Sequence, residues 1–441
     1  MEKPRLKLDF QKTFLIGFGF FGTSVMWKLY NDYVPIFLQA GNPLFESTTK
    51  TSGFGLGPGL TGFIMTLDNI VALFLLPLIG LWSDRIWAPK LGGRRKPFIV
   101  TLAPISIIAF ILIPFIVRLI PTELSGMTEQ LRQPLALFIA IVGLFITTMA
   151  GFRTPVISLM PDLTPSPLRS QANGIINLMG GVGGIIITFV GAMLYNLNIA
   201  LPFMVSGVLM ALAVVMLIFF VKEPRHLGEP GETREEEEAL DALKGVRRIS
   251  PAARQSLILL MLSIFFWFVG YNAIETFFTS YGVNVLRIAE NQASLLSSVS
   301  YVTFIAFAIP SGYIAAKIGR KRTITTGLVV FAALLLVGFF VPNIIVIGGA
   351  LALGGIAWSL VNINSLPMVI DTSDSDANIG TFTGLYYLAS QLAAIAGPTL
   401  NGFLIERFQN YNLVLLVPVI FFVLAATSMQ GVTRGEAKVH A

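Results

Sequence analysis

The sequence predicts an all-α integral membrane protein, with twelve transmembrane helices in two pseudo-symmetric six-helix bundles. Three observations lead there. The 441-residue chain is 54% apolar and only 12% charged, about half the charged share of an ordinary soluble domain, so lipid is its main solvent. Apolar runs of about 20 residues, the length that crosses a bilayer as a helix, recur along the whole chain. These runs fall into two sets of six around one long polar stretch. Barrel strands would instead read as segments of about 10 residues with alternating hydrophobicity.

The first six spans are expected near 14–38, 60–82, 98–119, 135–157, 173–195 and 201–221. The basic start and the run Phe14 to Met26 resemble a secretory signal, but no small-residue cleavage site follows and eleven more spans do, so this run reads as span 1. The polar stretch Lys222 to Ser250, with Glu235 to Glu238, reads as a cytoplasmic, solvated helical linker. Spans 7 to 12 are expected near 256–280, 293–316, 323–341, 345–367, 378–404 and 412–430. The domains are therefore an N-terminal bundle over 1–221, a linker over 222–253 and a C-terminal bundle with a short tail over 254–441.

Lysine and arginine placement sets the orientation. With an inside N-terminus, 23 of these residues fall in inner segments against five in outer ones: Lys50, Arg118, Arg132, Arg287 and Arg407. Both termini are thus expected in the cytoplasm and the protein in the plasma membrane. The net charge of +6 reads as anchoring to the inner leaflet of the lipid bilayer and not as nucleic-acid binding, because the basic residues sit in short loops without interleaved aromatics.

Whole classes of chemistry are excluded. With no cysteine there is no disulfide framework, thiolate metal site or cysteine nucleophile. The two histidines, His226 and His440, fall in the linker and the tail, which argues against zinc catalysis. Gly17-Phe18-Gly19-Phe20-Phe21-Gly22 matches the dinucleotide fingerprint only in letters, because no strand precedes it. Close helix packing is the better reading, as it is for Gly180, Gly181, Gly183, Gly184 and Gly191 in span 5. The chain carries no ATP-binding P-loop, no metal cluster, no cofactor site and no catalytic constellation, so it is not expected to be an enzyme.

The two halves echo each other. Span 2 ends with Gly80, Asp84 and Arg85 before Gly93-Arg94-Arg95-Lys96, and span 8 ends with Gly312, Ala316 and Lys317 before Gly319-Arg320-Lys321-Arg322. Pro161-Asp162 after span 4, with Gly174 opening span 5, is answered by Asp371 after span 10 and Gly384 in span 11. Parallel halves of this kind imply a site near the midplane at the interface of the halves, reached alternately from either side.

The Gly80 to Lys96 loop and its copy resemble the loop motif of the major facilitator superfamily, and the resemblance extends over the whole chain. Within it, Pro77-Leu78-Ile79-Gly80, Ser83-Asp84-Arg85 and Gly93-Arg94-Arg95-Lys96-Pro97-Phe98-Ile99 resemble the sucrose-proton symporters and, more distantly, the glycoside-pentoside-hexuronide cation symporters. That resemblance implies a secondary active transporter, performing proton-coupled symport of a disaccharide or other glycoside by alternating access. The chain departs from these relatives at Ala72 and Leu76, where melibiose-type permeases carry carboxylates. It departs again in the wider spacing of Arg153 from Asp162-Leu163 than sucrose symporters show. A sodium-coupled sugar symporter and a proton-driven exporter of drugs or metabolites remain as alternatives. The protein is expected to work as a monomer, with a small-molecule sugar as its partner.

Ionisable residues inside spans are costly, about 2.5 to 3.5 kcal/mol at a helix centre, and so mark function. Here they are Lys28, Asp32, Asp68, Arg153 and Glu275. At about 1.5 Å per residue, Lys28 lies roughly 3 Å, Asp32 roughly 9 Å and Asp68 roughly 4 to 5 Å outside the middle of their spans, and Arg153 roughly 10 Å on the inner side. Lys28, Asp32 and Asp68 can meet at such depths, whereas Arg153 reads as apart from them. All five are the proton-coupling or ion-coupling candidates, against the alternative of a static ion-pair cluster. Substrate candidates pair an aromatic face with hydrogen-bonding groups, as a sugar ring requires. They are Trp27 and Asn69 in the first half and Trp267, Tyr271, Asn272, Asn362 and Gln391 in the second. Asp84, with Arg85, Arg94, Arg95 and Lys96, is expected to form a conformational latch at the inner end of span 2. With Ala316 in place of the aspartate, any latch in the second copy is expected to be weaker.

Overall fold

The computed structural model describes residues 8–45, 51–89, 91–164, 168–223, 250–372 and 379–436. Within its helices the side chains of residues 77, 81, 84, 85, 161, 169–171, 173 and 379–381 lie outside that description. The described chain is helical: α1 (Phe10–Gln39), α2 (Pro58–Met65), α3 (Leu67–Arg85), α4 (Lys96–Arg118), α5 (Arg132–Leu163), α6 (Arg169–Leu197), α7 (Leu201–Phe220), α8 (Pro251–Asn284), α9 (Glu290–Ile318), α10 (Arg320–Phe340), α11 (Ile344–Ile370), α12 (Ile379–Phe408) and α13 (Leu413–Gln430). Eleven helical segments among the described residues are long and apolar enough to cross a membrane. The 30-residue α1 is the remaining long helix, its apolar run diluted by Lys28, Asn31 and Asp32.

Several helices run past their expected spans, because hydropathy marks only the hydrocarbon-crossing part and helix continues through the headgroup layer. The longest, α8, starts with Pro251 at its first position, where a missing N–H costs nothing, and the Ser250 hydroxyl accepts from Ala253 N–H at 3.4 Å. The Asn343 side chain likewise caps α11, accepting from Ile345 N–H at 2.9 Å. Gly319 joins α9 to α10 in a single residue with φ +90°, a conformation that strains any side chain.

Span 2 is not one helix. It breaks at Thr66, whose hydroxyl turns back onto Phe63 carbonyl at 2.8 Å, leaving the eight-residue α2 ahead of α3.

The chain resolves into two compact units. One comprises Met1–Phe37, Ser52–Phe54 and Leu67–Thr233, and the other Leu38–Thr51, Gly55–Thr66 and Arg234–Ala441. The end of α1 and all of α2, which sequence order places in the first half, therefore pack with the second unit. Close backbone approach explains α2: a Cβ on Gly62 would collide with the Pro398 carbonyl oxygen, and a Cβ on Gly402 with that of Pro58. Gly59 N–H donates to Glu406 Oε2 at 2.8 Å, so α12 caps α2 as well as supporting it. Gln39 is held in the same unit, donating to Ser280 Oγ at 3.0 Å and accepting from the Tyr411 hydroxyl. Burial, aided by the nearby Glu406 carboxylate, holds the Tyr411 phenol well above its ordinary range, so it stays a donor.

The first unit is closed by glycines too. A Cβ on Gly183 of α6 would fall 2.8 Å from the Phe21 carbonyl oxygen of α1, and one on Gly17 would fall 2.8 Å from Met179 Cγ. Gly17, Gly19, Gly22, Gly180, Gly183 and Gly191 are thus packing residues, whereas Gly184, expected to pack closely, would meet nothing within 4 Å with a Cβ added. Residues 224–249, most of the expected linker, lie outside the described residues.

Gly402→Ala is expected to destabilise the second unit by about 1 to 3 kcal/mol through overpacking, read as a fall in thermal midpoint in detergent. Gly349→Ala on α11, where a Cβ meets nothing within 4 Å, should leave that midpoint in place.

Candidate functional site

In the first unit, α1 presents Lys28 and Asp32 one turn apart, and their side chains form an ion pair of 2.8 Å with 11% and 4% exposure. At that burial neither charge would persist alone. Asp68 lies in the first turn of α3, where the positive end of the helix dipole complements a carboxylate. Asn69 Nδ2 donates to Asp68 Oδ1 at 2.9 Å. Tyr30, fully buried one turn before Val34, lies within electrostatic range of Asp68. Trp27 packs edge-on against Tyr30 at 5.3 Å and tilted against Phe145 of α5 at 5.4 Å, the geometry of a helix contact. Arg153 is exposed on α5.

The second unit holds the denser constellation. Glu275 of α8 accepts a hydrogen bond from the Tyr301 hydroxyl of α9, and Tyr271 lies one turn before Glu275 on α8. The Tyr271 ring stacks on Trp358 of α11 at 4.1 Å between centroids and 7° between planes. Phe268 sets its edge against Trp358 at 5.6 Å and against Tyr386 of α12 at 6.1 Å, and Tyr386 shares a hydrogen bond of 3.1 Å with Ser365. One embedded carboxylate thus adjoins a band of rings across α8, α11 and α12.

The remaining substrate candidates occupy different settings. Asn272 turns its amide onto the Phe268 carbonyl at 2.7 Å, which occupies one donor in its own helix. Trp267 is fully buried and touches Phe268, so it packs inside the unit. Asn362 is half-buried on α11. Gln391 keeps its Oε1 buried with no hydrogen-bond partner among the described residues, an acceptor left for a ligand or water. Tyr301, Trp358 and Tyr386 were missed by sequence reasoning; the polar face Ser294, Ser298 and Tyr301 at helical spacing was the available signal for the first.

At the basic ends of the bundles the arginines pair with aspartates at the ends of neighbouring helices. The side chains of Asp84 and Arg85 lie outside the described residues. Arg95, 1% exposed, pairs with Asp162 of α5 at 2.9 Å and also bonds Ser83 Oγ. The Glu223 carboxylate accepts from Arg94, Arg95 and Lys96 backbone N–H groups at 2.7, 3.0 and 3.0 Å, capping α4. The second copy repeats this arrangement. Arg320 pairs with Asp371, and Glu436 caps α10 by accepting from Arg320 and Lys321 N–H at 2.6 and 3.0 Å. The second copy is therefore not left without a carboxylate by Ala316, because Asp371 supplies one. The repeat positions Asp162 and Asp371 were visible in the sequence; their pairing with Arg95 and Arg320 was not.

Two repeated helical bundles, each with an arginine–aspartate clamp at one end and ionisable groups within its spans, define a polytopic membrane carrier. A sequence profile of the Major Facilitator Superfamily matches residues 13–289 and 285–438, and the chain belongs to that family. It is a secondary transporter and not an enzyme.

Among curated proteins it is similar to the class D tetracycline resistance protein of Salmonella ordonez, 24% identical over 79% of this chain and 80% of that protein. It is also similar to multidrug resistance protein 2 of Bacillus subtilis, 22% identical over 79% and 81%. Sucrose transport protein SUC3 of Arabidopsis thaliana is 24% identical over 43% of this chain and 36% of that one. Among solved structures, a point mutant of the nucleoside transporter NupG shares the fold at TM-score 0.71 and 14% identity, over 96% of this chain and all of that one.

Asp162→Ala removes the carboxylate paired with the buried Arg95 and is expected to cost up to about 3 to 5 kcal/mol. Asp371→Ala should cost clearly less, since Arg320 and Asp371 are 18% and 30% exposed and solvent screens them. Thermal melts of the two variants side by side check the ranking.

Proposed function

We propose that this transporter is a proton-coupled carrier that exports a small organic molecule in exchange for protons. The observation that carries proton coupling is Glu275 held by Tyr301 beside the Tyr271–Trp358 stack. A carboxylate inside a span is costly when charged, so its protonation responds to what surrounds it. Asp32 and Asp68 serve the same role in the first unit, with Lys28 compensating Asp32. Arg153 is assigned to the ion-coupling set as well.

Export is favoured by similarity to tetracycline and multidrug resistance proteins over 79% of the chain. The band of rings formed by Tyr271, Trp358, Phe268 and Tyr386 also suits an amphiphilic organic molecule. Recognition is assigned to Tyr271, Trp358 and Gln391, with Asn69, Asn272 and Asn362 as polar contacts. The basic ends of the bundles face the cytoplasm by the positive-inside rule, and the Arg95–Asp162 and Arg320–Asp371 clamps hold the cytoplasmic ends in one conformation and release in another.

Proton-coupled sugar symport is the second reading. It is favoured by the Pro77 to Ile99 stretch and by the likeness to the sucrose transport protein over 213 residues.

Sign decides between them. In lightly buffered vesicles containing the purified protein, exchange makes added tetracycline acidify the outside, whereas symport makes added sucrose alkalinise it. Either signal is expected to fall at least about tenfold in Glu275→Gln, a change equivalent to about 1.4 kcal/mol. Neither signal with either compound class, in protein shown to be folded, would overturn both readings.

A further inference from the structure

The short helix α2 is bounded by two breaks in regular structure. Upstream, Gly55 sits at φ +69°, a conformation open to glycine and strained for other residues. Downstream, the break at Thr66 separates α2 from α3. An eight-residue helix between such breaks depends on what it packs against.

Two kinds of contact hold α2 on α12. Pro58, Thr61, Gly62, Ile64 and Met65 are buried, and Gly62 and Gly402 let the two backbones meet. Apolar contact of this kind does not respond to protons. Among the described residues, one hydrogen bond joins the two helices, from Gly59 N–H to Glu406 Oε2 at 2.8 Å. This bond does respond. An ionised carboxylate at a helix N-terminus accepts a charge-assisted bond and complements the helix dipole, and a protonated one loses both advantages. The carboxylate also sits in a cradle of glycines: a Cβ on Gly57 would fall 2.8 Å from Glu406 Cδ, and one on Gly59 would fall 2.5 Å from Oε2. Glu406 is exposed, so protons in the adjoining water reach it.

We propose that Glu406 is a pH-sensitive latch: ionised, it seats α2 on α12, and protonated, it lets α2 lift away. Release uncovers the surface beneath α2, where the Pro398 carbonyl of α12 and the Phe277 ring of α8 lie against Gly62. The positive-inside rule places this end of α12 on the outer side, so the pH that is sensed is external. The signal is separate from any proton that is carried, and the latch works alike in exchange and in symport.

Few other titratable or charged groups surround Glu406. Neither α2, α11 nor α13 carries one, and neither do Leu38 and Gln39 at the end of α1 nor residues 51–57. On α12, Arg407 follows Glu406, and Tyr387 lies 19 residues back, roughly 28 Å along the helix, with Tyr386 beside it. The loop after α12 holds Tyr411, whose phenol burial keeps protonated. Tyr281 lies toward the C-terminal end of α8, with Glu275, Tyr271 and Arg254 successively further back, and Arg287 and Glu290 follow that helix.

The chain has no cysteine, so introduced thiols carry spin labels without background. Leu60 of α2 and Ile345 of α11 are 50% and 81% exposed. Leu60→Cys with Ile345→Cys reports the position of α2, and Phe408→Cys with Ile345→Cys, from the end of α12, is the static control. Distances are measured by pulsed electron paramagnetic resonance in lipid nanodiscs from about pH 8 to about pH 4, reaching the range in which glutamates of folded proteins titrate. Nanodiscs expose both faces to one pH, so the result does not depend on orientation. The Leu60–Ile345 pair is expected to show a second distance whose share rises at least about threefold as pH falls, the scale of losing a helix cap, while the control pair stays fixed. In Glu406→Gln the second distance should be present at pH 8 and independent of pH. Gly57→Ala, which crowds the carboxylate but keeps it, should also show the second distance at pH 8, and it carries the test should Glu406→Gln not fold. A parent distance that ignores pH, a pH step that survives in Glu406→Gln, or a Gly57→Ala variant that matches the parent at pH 8 overturns the proposal.

Discussion

Charge in a low-dielectric interior must be compensated where it sits, and that constraint organises most of this molecule. A 441-residue chain with only 12% charged residues has few ions to place, and the described ones are placed deliberately. Lys28 is matched to Asp32 within one helix turn. Arg95 is matched to Asp162 across two helices, and Glu275 has a phenol as its hydrogen-bonding partner. The first two pairs neutralise themselves. The third adds a hydrogen bond from a neutral phenol to an embedded carboxylate.

Backbone polarity follows the same rule at the helix ends. Glu223 and Glu436 take up the first N–H groups of α4 and α10, donors that no helix can satisfy internally. Glu406 does the same for α2. In each case the carboxylate comes from a segment distant in sequence, so capping also ties elements together. The stacked glycines act alongside, since backbone approach near van der Waals contact replaces the hydrophobic driving force that lipid removes.

Much of this architecture was legible in the sequence because apolar run length is a property of single segments. All twelve expected spans coincide with helices or, for span 2, with a broken pair. The break at Thr66 was not legible: no proline or glycine occupies that position, and only packing of α2 on α12 reveals why the two pieces separate. The site was legible in part. Lys28 with Asp32, and Tyr271 with Glu275, follow from four-residue spacing on one helix. Tyr301 and Trp358 reach the same place from other helices, and Arg95 chooses Asp162 over a loop; such choices depend on tertiary geometry that spacing along the chain does not encode. Trp27 packs against Tyr30 and Phe145 of its own unit, contacts across helices that spacing along the chain does not encode.

The carboxylates that cap α4 and α10 have a further meaning for how such a chain arises. Each clamp draws its arginine from the start of its third long span, its aspartate from the end of the fourth and its capping glutamate from just after the sixth. The stretch from the start of the third span to just after the sixth is therefore the smallest piece that carries a whole clamp, and each half contains one. Copying that segment once, head to tail, yields both clamps intact. Copying any shorter piece would leave a buried arginine or an open helix end to be rescued later.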